Sequence, residues 1–239
     1  QHDLGGGLGS DALHIGHRRL LGGGDGLFRL GQAGVELGLQ RLALLGDPSR
    51  YDKEMGFWER RIFGLNHRGW ACSRAEGATL EVAIGTGLNL PHYSDSVVLT
   101  GVDLSKEMLD VAEARARDLG VKVELNEGDA QELPFPDSCF ATVVCTYALC
   151  SVPDEAAAIG EMRRVLRPGG RLVLVDHVRS TVRPLFWFQK VYEFIPARRS
   201  GEYMTRRPAL HVIGGDFVVE EIDRSRAGIV ERLVASKPD

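Results

Sequence analysis

From Thr79 onward, short apolar runs alternate with longer stretches in which apolar residues recur every three or four positions. Thr79 to Ile84, Val97 to Asp103, Val121 to Leu125, Phe140 to Thr146 and Arg171 to Asp176 have the length and composition of strands. Between them, Ser105 to Leu119 predicts a helix with Ser105 as N-cap. A second helix is expected from about Asp154 to Leu166, closed by Arg167-Pro168-Gly169-Gly170, and a third from about Val182 to Phe194. Upstream, Tyr51 to Cys72 predicts one helix with Met55, Trp58, Ile62 and Leu65 on one face. The chain ends on Phe217 to Arg224 and Ile229 to Ser236, split by Ser225-Arg226-Ala227-Gly228, the pattern of an antiparallel hairpin.

Strands alternating with helices predict an α/β fold, a mostly parallel sheet covered on both faces. With the terminal hairpin the sheet would have seven strands. Residues 1–46 read differently. Gly, His and Arg dominate up to Gly26, and the apolar residues from Leu27 to Leu45 are interrupted by Gly31, Gly34 and Gly38. They form an N-terminal extension of uncertain order, and residues 47–239 form the folded domain.

Composition narrows the classes. The 239 residues are 44% hydrophobic, enough for the core of one α/β domain. A net charge of -4 and a pI near 6.0 argue against a general binder of nucleic acid or membrane surfaces, although not against a local basic patch. Cys72, Cys139, Cys145 and Cys150 form no CxxC pair and have no His at zinc-ligand spacing, so no metal and a reducing compartment are expected. No apolar run is long enough to span a bilayer, no amphipathic anchor stands out, and the first residues lack a secretory pattern. The expectation is a cytoplasmic protein without stable membrane insertion; the sequence does not specify its oligomeric state.

The chemistry gathers at the strand ends. Leu80-Glu81-Val82-Ala83-Ile84-Gly85-Thr86-Gly87-Leu88-Asn89 joins the first strand to a short helix, and its glycines allow backbone N–H groups to approach a ligand closely. Tight packing of the turn is the competing use of those glycines. A GxGxxG dinucleotide fingerprint would need Gly at position 90, where Leu90 stands, which disfavours a nicotinamide cofactor. Asp103 ends the second strand, where a carboxylate can accept both hydroxyls of a ribose or simply cap the next helix. Asp129 follows the third strand, placed to accept from an adenine amino group or to close a polar turn. Leu104 and Met108 offer an apolar wall.

The order Glu81-Val82-Ala83-Ile84-Gly85-Thr86-Gly87, Val102-Asp103-Leu104-Ser105, Gly128-Asp129-Ala130 with Leu133-Pro134-Phe135, and Arg167-Pro168-Gly169-Gly170 resembles the class I S-adenosylmethionine-dependent methyltransferases. The likeness is greatest to the branch holding the ubiquinone/menaquinone biosynthesis and phospholipid N-methyltransferase-like enzymes, and it covers about Tyr51 to Pro238. It implies a Rossmann-like fold, S-adenosyl-L-methionine as cofactor and a small-molecule acceptor, whether O, N, S or C. It further implies that Glu81, Ala83, Gly85 and Gly87 surround the methionine part, with Thr146 beside it. Asp103 would hold the ribose, Asp129 and Ala130 the adenine between Leu104 and Met108, and Tyr51 would cover the cofactor. Ala83 departs from the pattern, which has glycine there.

Methyl transfer needs alignment and, for a protonated acceptor, a base. His177, beside Asp176 at the end of the fifth strand, is the candidate catalytic residue; shaping the pocket is its other reading. Cys150 is read as a pocket wall. The acceptor pocket is expected from Tyr51 to Trp58 and from Pro184 to Arg207, where Phe186, Trp187, Phe188, Tyr192, Phe194 and Tyr203 accompany Arg198, Arg199, Arg206 and Arg207. Those aromatics would line the pocket and the arginines hold an anion, or the stretch is a core-facing helix with a basic end. A cofactor-binding protein that acts through partners without catalysis is the alternative function.

Overall fold

The computed structural model describes residues 48–64, 66–194 and 203–239. The extension over residues 1–46, together with Leu65, Arg198 and Arg199, lies outside them. The helix expected from Tyr51 to Cys72 is broken into α1 (Pro48–Trp58), a π-helical turn (Glu59–Phe63) and α2 (His67–Cys72). Gly64 (φ 102°) and Asn66 (φ 74°) take left-handed backbone, which ends the first helix and redirects the chain before the second. Met55 and Trp58 pack inward as expected, whereas Ile62 is exposed.

Seven strands form one sheet: β1 (Ala78–Val82), β2 (Val98–Asp103), β3 (Val123–Glu127), β4 (Phe140–Thr146), β5 (Leu166–His177), β6 (Val218–Ser225) and β7 (Val230–Ser236). Their order is β3-β2-β1-β4-β5-β7-β6, and β7 runs antiparallel to both neighbours, as the hairpin predicts. The helices are α3 (Lys106–Leu119), α4 (Glu155–Val165), α5 (Arg183–Glu193) and α6 (Pro208–Gly214), the last not foreseen from the sequence. Ser105 caps α3 by accepting the Met108 N–H, and Asp154 caps α4 by accepting from Ala156 and Ala157. Strand β5 starts earlier than expected. Gly169 (φ 68°) bends the chain there, and its N–H donates to the Lys237 carbonyl at 2.9 Å, so the bend pairs with the residue following β7.

Both faces are covered, so β4 is buried along its whole length. Val143, Cys145, Leu172 and Leu174 face Ile159, Met162 and Val165 of α4. The alternate residues Val144, Val173 and Val175 face Phe63, Ala71 and Ala75 on the other side. A third cluster, with Leu90, Leu99, Leu109 and Ala116, seats α3. Strand order reverses between β1 and β4. Ligands bind at that switch point, beyond the carboxyl ends of the strands.

Candidate active site

The loop after β1 is a run of left-handed residues: Ala83 (φ 55°), Gly85 (φ 58°) and Gly87 (φ 77°). The two glycines have different reasons. A Cβ on Gly85 would meet nothing within 4 Å, so its face opens on a cavity. A Cβ on Gly87 would meet Leu90 Cδ1 at 2.6 Å and Ala112 at 3.3 Å, so Gly87 serves packing onto α3. Ala83 bears the strain that glycine would avoid.

Asp103 fastens this loop. Gly85 N–H donates to its Oδ2 at 2.8 Å and Ser105 N–H to its Oδ1 at 2.9 Å. Each oxygen keeps lone-pair capacity for one further donor, the pattern two adjacent sugar hydroxyls would meet. Burial raises its pKa, against the backbone N–H groups of Ser105, Gly85 and Leu104.

Below the loop lies a buried polar chain. Asn89 Nδ2 donates to Glu81 Oε1 at 2.8 Å and to Thr146 Oγ1 at 3.0 Å. Arg68 Nη1 donates to Asn89 Oδ1 at 2.9 Å and to Thr146 Oγ1 at 3.2 Å, while its Nε bonds Glu59 at 2.8 Å. Burial pushes the Glu81 carboxyl up to about 7, against Tyr93, Arg68 and Asn89. Glu81 therefore holds the loop from beneath.

The cavity has a volume of about 330 Å³. Ten of the twelve residues given a cofactor or catalytic role line it: Tyr51, Ala83, Gly85, Asp103, Leu104, Met108, Asp129, Ala130, Thr146 and His177, as does Cys150, read as a pocket wall. Glu81 and Gly87 do not. Along one side run Val102, Leu104, Met108 and Gly128, an apolar slot with Asp129 and Gln131 at its edge. Gln131 donates to both Asp129 oxygens at 3.0 Å, so an adenine amino group would share that carboxylate.

Helix α1 covers the cavity with Tyr51, Met55 and Trp58. It is tied down by Asp52, which accepts from Thr86 Oγ1 at 2.6 Å and pairs with Arg115; Arg115 also donates to the Thr86 carbonyl.

The other end of the cavity is aromatic. Phe63 stacks on Tyr147 at 5.4 Å and on His177 at 5.6 Å, with Trp58 and Tyr192 nearby on the lining. Burial lowers His177 to about 4, far from the near-neutral value its type suggests, so the imidazole is neutral. Its Nδ1 has no hydrogen-bond partner among the described residues. Asp176, raised to about 7 by burial, accepts the His177 N–H at 2.8 Å. Donor atoms of Cys150, Asp176 and His177 lie within 4.8 Å of one another.

The second stretch expected to build the pocket contributes only Tyr192 and Met204 among the described residues. Trp187, Phe188 and Phe194 are exposed, which also rules out a core-facing helix. Arg206 is consumed: Nη1 donates to the Leu149 carbonyl at 2.6 Å and to that of Val152, and Nη2 to that of Pro153. It staples the loop after β4, and its Nε lies 4.0 Å from Glu155 Oε2. Arg68, Asn89, Tyr147 and Gln131 were not foreseen as site residues. Asn89, inside the loop motif, and Gln131, directly after Asp129-Ala130, carried a signal of position.

These residues fit S-adenosylmethionine: a backbone cradle open at Gly85, a carboxylate with two acceptor positions, an apolar slot ending in a carboxylate, and aromatic cover. A family model described as a methyltransferase domain matches residues 80–174. The chain is 43% identical over 116 residues to a phosphatidylethanolamine N-methyltransferase of Cereibacter sphaeroides, covering 48% of this chain and 57% of that protein. It is 32% identical over 154 residues to a demethylmenaquinone methyltransferase of Thermus thermophilus, covering 61% of this chain and 68% of that one. The chain spans little more than half the length of the first of these curated relatives. Among solved structures, the YcgJ protein of Bacillus subtilis superposes with a TM-score of 0.57 at 23% identity, over 72% of this chain and 96% of that chain. The [4+2]-cyclase SpnF superposes with 0.58 at 19% identity, over 72% and 78%. Likeness of fold alone therefore leaves the reaction open.

Proposed function

Since the chain belongs to the class I S-adenosylmethionine-dependent methyltransferases, we propose that it methylates the amine of a lipid headgroup of the phosphatidylethanolamine type. One observation carries the choice of acceptor. Beside Asp103 and Asp129, which serve the donor, the cavity lining holds Glu54 and no Lys or Arg among the described residues, and its far end is formed by Trp58, Phe63, Tyr147 and Tyr192. One carboxylate and several aromatic faces favour a cationic ammonium and its methylated products. A phenolate acceptor would find no cation to hold it. The 43% identity to a relative named for phosphatidylethanolamine supports the same reading.

When bound, S-adenosylmethionine supplies a methyl group already made electrophilic by its sulfonium. The chain aligns and shields. Asp103 accepts the ribose hydroxyls, Gly85 leaves room for the methionine part, and Asp129 with Ala130 marks the adenine edge. Tyr51, Met55 and Trp58 exclude water from above. Neutral His177 accepts a hydrogen bond from the acceptor amine and orients its lone pair. With its pKa near 4, His177 acts by positioning, and the amine's proton leaves to water.

A second reading has its own observation. The parallel stack of Phe63 with Tyr147 and His177 suits a planar ring, as in the quinone named for other relatives. The full chain, incubated with S-adenosylmethionine and either micellar phosphatidylethanolamine or a reduced demethylmenaquinone, decides between them. S-adenosylhomocysteine release with the amine alone is expected; release with the quinol alone would overturn the amine reading.

A further inference from the structure

Helix α5 presents aromatics outward. Its inward side carries Gln189 and Glu193 beside half-buried Leu185 and Phe186, whereas Trp187, Phe188, Val191 and Tyr192 stand 41–72% exposed. Gln189 pins the helix: its Oε1 accepts the Ser180 N–H at 2.7 Å, and its Nε2 donates to the Val178 carbonyl at 3.0 Å. At 100° per residue, the exposed apolar side chains span about 140° of the circumference. Arg183 and Lys190 border that arc, and the only acidic residue of the helix, Glu193, is buried. A contiguous apolar face of this kind marks an interaction surface.

We propose that α5 docks the chain on an anionic phospholipid surface. Trp and Tyr favour the headgroup layer, where an apolar ring body meets a polar edge. Arg183 and Lys190 complement lipid phosphates, although the chain as a whole carries a net charge of -4. Tyr192 belongs both to this face and to the lining of the cavity, so docking would bring the cavity to a bilayer-borne acceptor. A second copy packed face to face would oppose the same cations to one another. With eleven residues, α5 is too short to span a bilayer, and no described helix is long and apolar enough to do so. This inference rests on the reading of a lipid acceptor and departs from the expectation that no amphipathic anchor stands out.

The test is flotation of the full chain with phosphatidylcholine vesicles, alone and with roughly one third phosphatidylglycerol, both free of phosphatidylethanolamine and quinone. Binding to the mixed vesicles, with a blue shift of tryptophan emission, is expected. Trp187→Ser with Phe188→Ser should weaken it at least about tenfold and leave S-adenosylhomocysteine affinity unchanged. Val191→Ser should weaken it less, and provides a second variant if the first does not fold. Equal vesicle binding by folded variants, or a dimer that the variants split in the absence of vesicle binding, would overturn the proposal. Methylation of micellar phosphatidylethanolamine without vesicle binding would remove the docking and leave the acceptor standing. Vesicle binding without methylation would do the reverse.

Discussion

Asp103→Ala tests the donor end of the cavity most directly. The carboxylate already accepts N–H groups from Gly85 and Ser105, leaving one acceptor position on each oxygen for the two ribose hydroxyls. Hydrogen bonds to a charged partner contribute about 1.5–3 kcal/mol each. Because both oxygens are already shared with N–H donors, the pair is taken at the worth of one such bond, about 1.5–3 kcal/mol. Cofactor affinity should therefore drop roughly tenfold to a hundredfold. Titration calorimetry with S-adenosylhomocysteine measures this, and thermal unfolding establishes that the variant is folded. An analogue lacking the ribose hydroxyls supplies the control: it should bind wild type more weakly than the parent ligand, but the variant no more weakly. A folded variant with affinity within twofold of wild type would refute the ribose assignment. So would an analogue that loses equally on both proteins.

Ala83→Gly should stabilise the chain by about 1 kcal/mol, because the left-handed φ of 55° strains a residue with a Cβ. The melting temperature should rise by about 2–4 °C, and no rise would show that the strain is relieved elsewhere. Gly87→Ala should destabilise by about 3 kcal/mol, through its φ and the Leu90 contact at 2.6 Å; a neutral effect would mean the loop repacks freely. For His177→Gln the sign comes from a folded pKa of about 4 against an ordinary 6.5. Between those values the unfolded chain binds a proton that the folded chain does not, so this contribution is full above about 6.5 and lost as pH falls through about 4. Wild type should therefore lose on the order of 3 kcal/mol relative to the variant over that window, read by denaturant titration at several pH values. Turnover should fall in the variant by a factor independent of pH from 6 to 8; a limb near 6.5 present only in wild type would refute the neutral imidazole.

Much of this was legible because it is local. Ser105, Asp103 and the glycine loop sit at fixed offsets from strands whose apolar runs are unmistakable, and the pairing of β7 with β6 comes from one turn. The break at Gly64 and Asn66 was hidden by an apolar spacing that continues across it. The helical period constrains side chains, while the left-handed backbone there is set by what packs on either side. Arg68 and Arg206 were likewise hidden or misassigned, because an arginine's partners are chosen in three dimensions. One meets Asn89 and Thr146, 21 and 78 residues away; the other meets carbonyls more than 50 residues upstream. The outward aromatics of α5 defeat any rule that places aromatics inside.

The tether through Asp52 has a kinetic consequence. Helix α1 lies over the donor loop, held by Thr86 and by a carboxylate–guanidinium pair with Arg115 whose side chains are each 24% exposed. Uncovering the donor loop from that side requires this pair to part. Dissolved salt weakens half-exposed charges and leaves buried ones nearly untouched. A donor release that needs this pair to part should therefore respond to ionic strength. Raising salt should then shorten the residence time of S-adenosylhomocysteine, and an unchanged residence time would show that release does not need the pair to open.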